Sequence, residues 1–160
     1  MREISAFTGD YRFLSNFWYV PGTVYGYATN EHFFQAMKCT DPEFRARVKA
    51  CETAGQAKRM GQAKYMQPNG YKLRDDWNAI KDEVMITGLR RKFDPKLNPK
   101  LARQLIATGD AYLIEGNNWH DNYWGVCNGC YRGRRKPLTH KANGLNRLGT
   151  MLMVVREEIR

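Results

Sequence analysis

The sequence predicts a mainly α-helical fold: one compact multihelical domain spanning residues 1–160, with a small β element near the N-terminus. Three observations predict it. Helix-start signals, in which a capping side chain precedes a proline or an acidic residue, recur through the middle of the chain. Apolar residues spaced by three and four form a stripe near the C-terminus. The alternating aromatic pattern that is typical of strands is confined to the beginning of the chain.

The expected elements follow in chain order. Residues 4–27 are predicted to form short strands joined by a turn at Pro21-Gly22. Asn30 is predicted to cap a first helix that runs from Glu31 to about Thr40. Further helix starts are predicted at Asp41-Pro42, Thr53, Asp75-Asp76, Asn98-Pro99 and about Asn143.

Two shorter segments and the last helix complete the predicted fold. Thr108-Gly109-Asp110 is expected to end the helix before it, and Tyr112-Leu113-Ile114 to be extended. The last helix is predicted from an apolar stripe whose members are Leu145, Leu148, Leu152, Val155 and Ile159.

Charge and composition narrow the class of protein. The 160 residues carry a net charge of +10, which favours an anionic partner such as a phosphorylated small molecule, a nucleotide or a nucleic acid. No apolar run approaches the roughly 18 residues that a transmembrane helix needs. The N-terminus lacks the apolar core of a signal peptide, so we expect a cytoplasmic protein with reduced cysteines and no membrane contact.

The first candidate site is the segment from Asn30 to Lys38. On a helix, Glu31, Gln35 and Lys38 would share one face, because they are spaced by four and three residues. One helix would then present an acid, an amide and an amine to the same cavity. The alternative interpretation is an ordinary polar face in contact with solvent.

The second candidate site lies at the end of the extended segment. Glu115, Asp121 and Trp124 would form a pocket rim, in which two carboxylates divide the roles of acid and base. The alternative is that these carboxylates cap turns or pair with basic residues. The long polar stretch 116–141 is typical of a functional loop.

Metal and nucleic-acid sites are weaker candidates. Cys127 and Cys130 form a single CxxC pair, whereas zinc sites usually have two ligand pairs at set spacing, so we expect neither a metal nor another cofactor. A basic segment resembles a nucleic-acid contact loop; its members are Arg132, Arg134, Arg135 and Lys136. No Walker, GxGxxG or Gly-x-Ser-x-Gly motif is present. Their absence excludes the common P-loop NTPases, Rossmann dinucleotide-binding proteins and α/β-hydrolases with a serine nucleophile.

Six short motifs occur in an order that resembles the NADAR (YbiA-like) superfamily. The resemblance extends from about Phe13 to Arg156. The motifs are FLSNF at 13–17, NEHFFQAMK at 30–38, TGD at 108–110, LIE at 113–115, DNYWG at 121–125, and NRLG at 146–149 with Leu152-Met153 and Arg156.

The resemblance implies a small, mostly helical N-glycosidase that acts on ribosylated substrates. Such enzymes act on phosphorylated ribosylamino-pyrimidine intermediates of riboflavin synthesis, or remove ADP-ribose from modified guanine bases. It implies catalytic roles for Glu31 and Lys38. It places Asn16, Trp77 and the second candidate site at the substrate pocket.

The residue chemistry agrees with this reaction and leaves two mechanisms open. Breaking a C1′–N bond develops positive charge on the ribose, which a carboxylate such as Glu31 stabilises while it activates water. Alternatively, the Lys38 amine attacks C1′ and holds the ring-opened sugar as a Schiff base. Asp121 or Glu115 would protonate the departing base, and Trp77 or Trp124 would stack on it.

Two other functions remain as alternatives. The first is a non-catalytic module that binds ADP-ribose or nucleic acid, which would need only the aromatic and basic groups. The second is a small zinc-knuckle adaptor, supported only by Cys127 and Cys130. Neither the substrate nor the oligomeric state follows from the sequence.

Overall fold

The structure is a computed structural model that describes residues 2–127 and 144–160. In chain order its helices are α1 (Asn30–Ala36), α2 (Pro42–Ala50), α3 (Ala54–Met60), α4 (Ala63–Met66), α5 (Trp77–Lys92), α6 (Pro99–Ala107) and α7 (Arg147–Glu158). The strands are β1 (Glu3–Ile4), β2 (Tyr112–Leu113), β3 (Gly116–Asn117) and β4 (Val126–Cys127). These elements confirm a mainly α-helical fold with short strands, one of them close to the N-terminus.

Four of the predicted helix starts are confirmed, those of α2, α3, α5 and α6, and at α2 and α3 the predicted side chain makes the capping hydrogen bond. The Asp41 side chain accepts a hydrogen bond from the Glu43 backbone N–H, and Pro42 is the first residue of α2. Thr53 begins α3 with a capping box, in which its side chain and that of Gln56 each satisfy the other's backbone N–H. The predicted stop after α6 is also confirmed: Gly109 follows the helix with a φ of +62°.

The prediction of strands through residues 4–27 is largely wrong. Only Glu3–Ile4 is a strand, and it pairs in parallel with Tyr112–Leu113. Gly9–Leu14 forms a 3₁₀ helix instead. The buried Phe13 and Leu14 are neighbours in this helix rather than alternate residues on a strand. The aromatic pattern therefore indicated neither a strand nor uniform burial, since Phe17 and Tyr19 are 46% and 63% exposed.

Two helix boundaries differ from those predicted. α1 is capped by Thr29 and ends at Ala36, so Lys38 lies in the following turn and not on the helix. α7 begins at Arg147 because Asn146 has left-handed backbone angles, φ 50° and ψ 39°, which a helix cannot continue. Leu145 is consequently outside the helix and 60% exposed, and so does not belong to the apolar stripe.

Contacts divide the chain into two units, which are described separately; the single domain 1–160 stays a prediction. The first unit comprises Met1–Ser15 and Arg103–Arg160. In it the Asn146 side chain joins α7 to the β2 segment, donating to the Leu113 carbonyl at 2.9 Å and accepting from the Glu115 N–H at 3.0 Å. Gly149 packs so closely on the Leu113 carbonyl that any side chain would collide with it.

The second unit, Asn16–Ala102, is built around α1. Its apolar core includes Phe44, Val48, Met85, Leu89 and Phe93, all almost fully buried. α1 packs against α2, α3 and α5, and every one of its seven residues is buried.

Two further expectations concern membranes and cysteines. None of the described helices is long and apolar enough to cross a membrane. Cys39 and Cys51 carry free thiols, as expected. Cys127 is disulfide-bonded, which corrects the expectation that it is a reduced thiol.

Candidate active site around the Glu31 carboxylate and the Lys38 amine

Helix α1 carries polar side chains into the interior of the second unit. Glu31 is only 7% exposed and Gln35 only 4% exposed, so the solvent-facing alternative for this segment is wrong. A carboxylate buried to this degree needs polar partners, because desolvation disfavours its charge. Glu31 is therefore the principal candidate for chemistry on this helix.

Gln35 supplies one of those partners. Its Nε2 donates to Glu31 Oε1 at 2.7 Å, as expected for residues four positions apart on a helix. Its Oε1 is buried and has no hydrogen-bond partner among residues 2–127 and 144–160. This oxygen lies against Gly61, where an added Cβ would collide with it. The absence of a side chain at Gly61 thus leaves the space that the Gln35 amide occupies.

Lys38 reaches the same place from the turn after α1. Its Nζ donates to the Gly61 carbonyl at 3.2 Å and lies 5.7 Å from the centre of the Phe34 ring. Its backbone carbonyl accepts from the Arg74 N–H at 2.8 Å, which fixes the turn. The amine is thus positioned by contacts across the unit rather than by helical spacing.

The surroundings of Lys38 favour its neutral form. Burial lowers the pKa of the amine, the Glu31 carboxylate raises it, and the Lys58 ammonium lowers it again. The net direction is downward from the ordinary value of a lysine. A lysine with a lowered pKa has a larger fraction of neutral amine, which is the nucleophilic form.

A cleft opens beside Lys38 within the second unit. Its volume is about 540 Å³, which is enough for a small molecule of nucleoside size. Lys38, Gly61, Tyr71, Lys72 and Trp77 are among the residues that line it. It therefore offers space for a substrate at the Lys38 amine.

Trp77 is the first residue of α5 and forms part of the wall of this cleft. It is 6% exposed, and its ring packs on Phe34 with centroids 5.0 Å apart. The same Phe34 ring lies below the Lys38 amine. Trp77 thus lies at the cleft near Lys38, and its contact with substrate stays a prediction.

Asn16, predicted to line the pocket, supports the start of α1. Its carbonyl accepts from the Glu31 N–H at 3.0 Å, and its side-chain oxygen accepts from Asn30 Nδ2 at 2.9 Å. Its own Nδ2 points at the Met85 sulfur at 3.3 Å. Asn16 therefore fixes the position of Glu31, whereas its role in binding substrate stays a prediction.

The second predicted constellation lies in the first unit and forms a tight turn. Asp121 Oδ1 accepts from the backbone N–H groups of Tyr123 and Trp124 at 3.1 and 2.9 Å. Asn117 bonds both the backbone N–H and the carbonyl of Asp121, at 3.1 and 2.7 Å. Asp121 therefore caps a turn, which is one of the two roles that the sequence analysis left open for it. Its role as the acid that protonates the leaving base stays a prediction.

Glu115 and Trp124 are half-buried in the same unit. The Glu115 carbonyl packs against Gly125 so closely that any side chain there would collide with it. The Trp124 carbonyl accepts from the Leu148 N–H at 3.0 Å, which attaches the turn to the first residues of α7. The structure thus joins Glu115 and Trp124 to one scaffold, and their contact with substrate stays a prediction.

The remaining candidates concern the basic loop and metals. Arg132, Arg134, Arg135, Lys136 and Cys130 lie outside the described residues, so the predicted nucleic-acid contact there stays a prediction. Within residues 2–127 and 144–160, no cluster of three or more His, Cys, Asp or Glu side chains has the arrangement of a metal site.

Sequence reasoning missed Gly61 as part of the site. Its carbonyl accepts from Lys38, and its lack of a side chain accommodates Gln35. Nothing local distinguishes this glycine, which follows α3 as an ordinary helix-ending residue with φ −81°. Only its tertiary neighbours reveal its role.

Comparison with known proteins matches these features to a family. The model of the NADAR domain family matches residues 6–160. N-glycosidase YbiA of Escherichia coli is 35% identical over 152 residues, covering 94% of this chain and 82% of that protein. A riboflavin biosynthesis protein of Vibrio vulnificus is 36% identical over 152 residues, covering 94% of this chain and 36% of that protein.

A solved structure agrees with the sequence relatives. The NMR structure of E. coli YbiA has a TM-score of 0.73 and 32% sequence identity, and covers 99% of this chain and 86% of that one. The family match spans both units and includes the helix that carries Glu31 and Gln35. The chain therefore belongs to the NADAR domain family.

Proposed function

We propose that the protein is an N-glycosidase that hydrolyses the C1′–N bond of a ribosylated base or nucleotide. The two substrate classes are a phosphorylated ribosylamino-pyrimidine of riboflavin synthesis and an ADP-ribosylated guanine. Relatives that carry the names N-glycosidase and riboflavin biosynthesis protein support this reaction. The proposal includes a cytoplasmic location and a reaction that needs no metal.

The observation that carries the proposal is the Lys38 amine at the cleft. Burial lowers the pKa of this amine, and the nearby Glu31 carboxylate opposes the shift. A group of this kind acts on an electrophilic carbon such as C1′, whereas a binding module gains nothing from a partly neutral lysine. The pair therefore favours an enzyme over a non-catalytic ADP-ribose or nucleic-acid binding module.

In the proposed reaction the Lys38 amine attacks C1′ and the base leaves with its bonding electrons. The departing nitrogen takes up a proton and Nζ loses one. The C1′–O4′ bond then breaks as O4′ takes up a proton, which leaves the ring-opened sugar on Nζ as a Schiff base. Water then adds to C1′, the C–Nζ bond breaks, and free sugar is released. Glu31 accepts and returns the protons at Nζ and at the water. The net change is one water consumed and one C1′–N bond broken.

The cleft supplies the contacts that orient such a substrate. Trp77 lines the cleft. Lys72 also lines it, and its exposed ammonium, which pairs with Asp75 at 3.0 Å, would bind a phosphate of the substrate. Direct attack by a water that Glu31 activates is the alternative mechanism, with Lys38 then acting as a cation beside the leaving base.

Chemical trapping tests the proposal. Borohydride added during turnover of a ribosylamino-pyrimidine phosphate or an ADP-ribosylated guanosine should reduce the Schiff base and leave a sugar adduct on Lys38, located by peptide mass spectrometry. Lys38→Met keeps the length and apolar stem of the side chain, and should lower turnover at least about a hundredfold and abolish the adduct.

The control is Lys100→Met, which removes an exposed lysine on α6 and should leave turnover and trapping unchanged. Activity that survives in Lys38→Met on a confirmed substrate would contradict the assignment of Lys38. Loss of turnover in Lys38→Met without any adduct in the wild type would favour direct attack by water. Turnover should also persist in EDTA, and loss that zinc restores would refute the metal-free reaction.

A further inference from the structure

The turn between Thr23 and Tyr27 in the second unit has an unusual backbone. Thr23 and Tyr25 have φ angles of 58° and 52°, in the left-handed region that non-glycine residues seldom occupy. Gly26 follows with φ 86°. A β-branched threonine at positive φ is especially unfavourable, so the rest of the unit must hold the turn in place.

This turn presents an aromatic ring to solvent. Tyr25 is 50% exposed, although its ring also contacts the buried Phe33 of α1, with centroids 5.3 Å apart. Tyr27 packs on the other part of Phe33 at 6.0 Å. The exposed Tyr25 ring therefore rests on the buried Phe33 ring, which Tyr27 contacts in turn.

Two positively charged side chains lie over these rings. The Arg91 guanidinium lies 5.0 Å from the centre of the Tyr25 ring, and Lys49 Nζ lies 5.9 Å from that of Tyr27. Lys49 Nζ is also the atom closest to the space above Gly26. We call the set Tyr25, Tyr27, Phe33, Lys49 and Arg91 the Tyr25 surface.

The cations of the Tyr25 surface lack acidic partners in the described part of the chain. Neither Lys49 nor Arg91 makes an ion pair with a described residue, in contrast to Arg47 and Arg74, which pair with Glu43 and Asp76. Arg91 Nε is a buried donor without a described acceptor. The charges of Lys49 and Arg91 are therefore not neutralised by any acidic side chain that the structure describes.

The Tyr25 surface is distinct from the proposed active site. Phe33 is two residues after Glu31 and two before Gln35, so it projects from roughly the opposite side of α1. The cleft at Lys38 includes no member of the Tyr25 surface. A ligand on this surface would leave the cleft at Lys38 open.

We propose that the Tyr25 surface binds single-stranded nucleic acid, with an unpaired base stacked on Tyr25 and backbone phosphates at Arg91 and Lys49. An exposed ring stacks on any base, and flanking cations neutralise the neighbouring phosphates, which is the general chemistry of single-strand binding. A free phosphate would need only the cations, and an acidic peptide would need no stacking ring. This inference does not depend on the proposed N-glycosidase reaction.

Fluorescence anisotropy with a labelled oligothymidylate tests the proposal on the whole chain. Tyr25→Leu keeps apolar contact with Phe33 but loses the stacking face, and should weaken binding about tenfold. Tyr25→Phe keeps the ring and should bind like the wild type. Lys49→Gln and Arg91→Gln should each reduce the slope of log affinity against log salt by about 0.7, the value for one phosphate contact on a single strand.

Matched measurements separate this surface from diffuse attraction to a basic protein. Lys100→Gln removes the same charge from an exposed position on α6 and should leave the slope unchanged. Lys49 is exposed, so Lys49→Gln carries the test if Arg91→Gln melts at a lower temperature.

Three results would overturn the proposal. The first is equal binding by the Leu and Phe variants of Tyr25, and the second is an equal slope change in Lys100→Gln. The third is a polyglutamate peptide that competes with the oligonucleotide and depends equally on Tyr25. None of these results depends on turnover at Lys38. The binding proposal and the proposed N-glycosidase reaction are therefore tested independently.

Discussion

The carboxylates of Glu31 and Asp121 are both candidate catalytic groups in the sequence, but the structure gives them different hydrogen-bond partners. The Glu31 carboxylate is held by a side-chain amide, that of Gln35, and acts electrostatically on the Lys38 amine. The Asp121 carboxylate is held by two backbone N–H groups of its own turn. A carboxylate whose partners are side chains can exchange protons without unfolding the backbone, whereas one that caps a turn is part of the scaffold. The comparison therefore leads us to expect a chemical role for Glu31 and a structural role for Asp121.

The largest effect that tests this difference is expected at Glu31. Glu31→Gln is nearly isosteric, and its amide oxygen can still accept the hydrogen bond from Gln35. The fold should therefore survive while proton transfer is lost, lowering turnover about a hundredfold. Steady-state kinetics with a melting curve would measure both. A variant that is active, or one that is inactive only because it is unfolded, would remove the distinction between the two carboxylates.

A smaller loss is expected from Gly61→Ala. The added Cβ collides with Gln35 Oε1, which displaces the amide and misplaces the Glu31 carboxylate. Turnover should fall about tenfold, since small displacements of a catalytic group are costly. Gly55→Ala in α3 is the matched control, because the nearest atom to its Cβ is 3.9 Å away. That variant should keep full activity, and equal losses in both would show that Gly61 has no special role.

The pH dependence sharpens the assignment of Lys38. In the proposed reaction the neutral amine is the reactive form, so turnover should rise as pH increases through the lowered pKa of Lys38. Because the Lys58 ammonium contributes to that lowering, Lys58→Met should raise the pKa of Lys38 and move the rise in turnover to higher pH. Lys64→Met, an exposed change on α4, should leave the pH profile in place. A Lys58→Met profile identical to the wild type would mean that another group sets the pH dependence.

The smallest effect is expected at Asp121. Asp121→Asn keeps the acceptor oxygen for the N–H groups of Tyr123 and Trp124, so turnover and melting temperature should stay close to those of the wild type. Asp121→Ala loses both hydrogen bonds and should be less stable by about 1 kcal/mol. Denaturant unfolding of the two variants measures this difference. A hundredfold loss of turnover in Asp121→Asn would instead restore its predicted role as the acid for the leaving base.

Helix starts were predictable because capping is a property of adjacent residues. Asp41-Pro42 and Thr53 satisfy backbone N–H groups within the next three positions, and the structure confirms both. The ends of α1 and the start of α7 were not predictable, because they depend on Lys38 reaching Gly61 and on Asn146 bonding the β2 segment. Such contacts are distant in sequence and leave no local pattern.

The candidate site divides in the same way. The Glu31–Gln35 hydrogen bond followed from helical spacing. The burial of that pair did not, because an acid and an amide on a short helix are more often exposed to solvent. The Tyr25 surface could not be predicted from the sequence either, because the left-handed backbone angles at Thr23 and Tyr25 contradict the intrinsic preferences of both residues. The sequence instead predicts a strand in this segment, where the structure has a turn from Thr23 to Tyr27.

The complete burial of α1 has a consequence for hydrogen exchange. A helix of seven residues is too short to persist in water by itself, so its amide protons are protected only while the surrounding helices remain packed. These amides should exchange only when a large part of the second unit opens, in the slowest class of the protein. Glu31 thus lies on a helix that is folded only while the helices around it are packed against it. Catalytic activity would then be lost in the same cooperative event that releases the most protected protons, with no partly active intermediate.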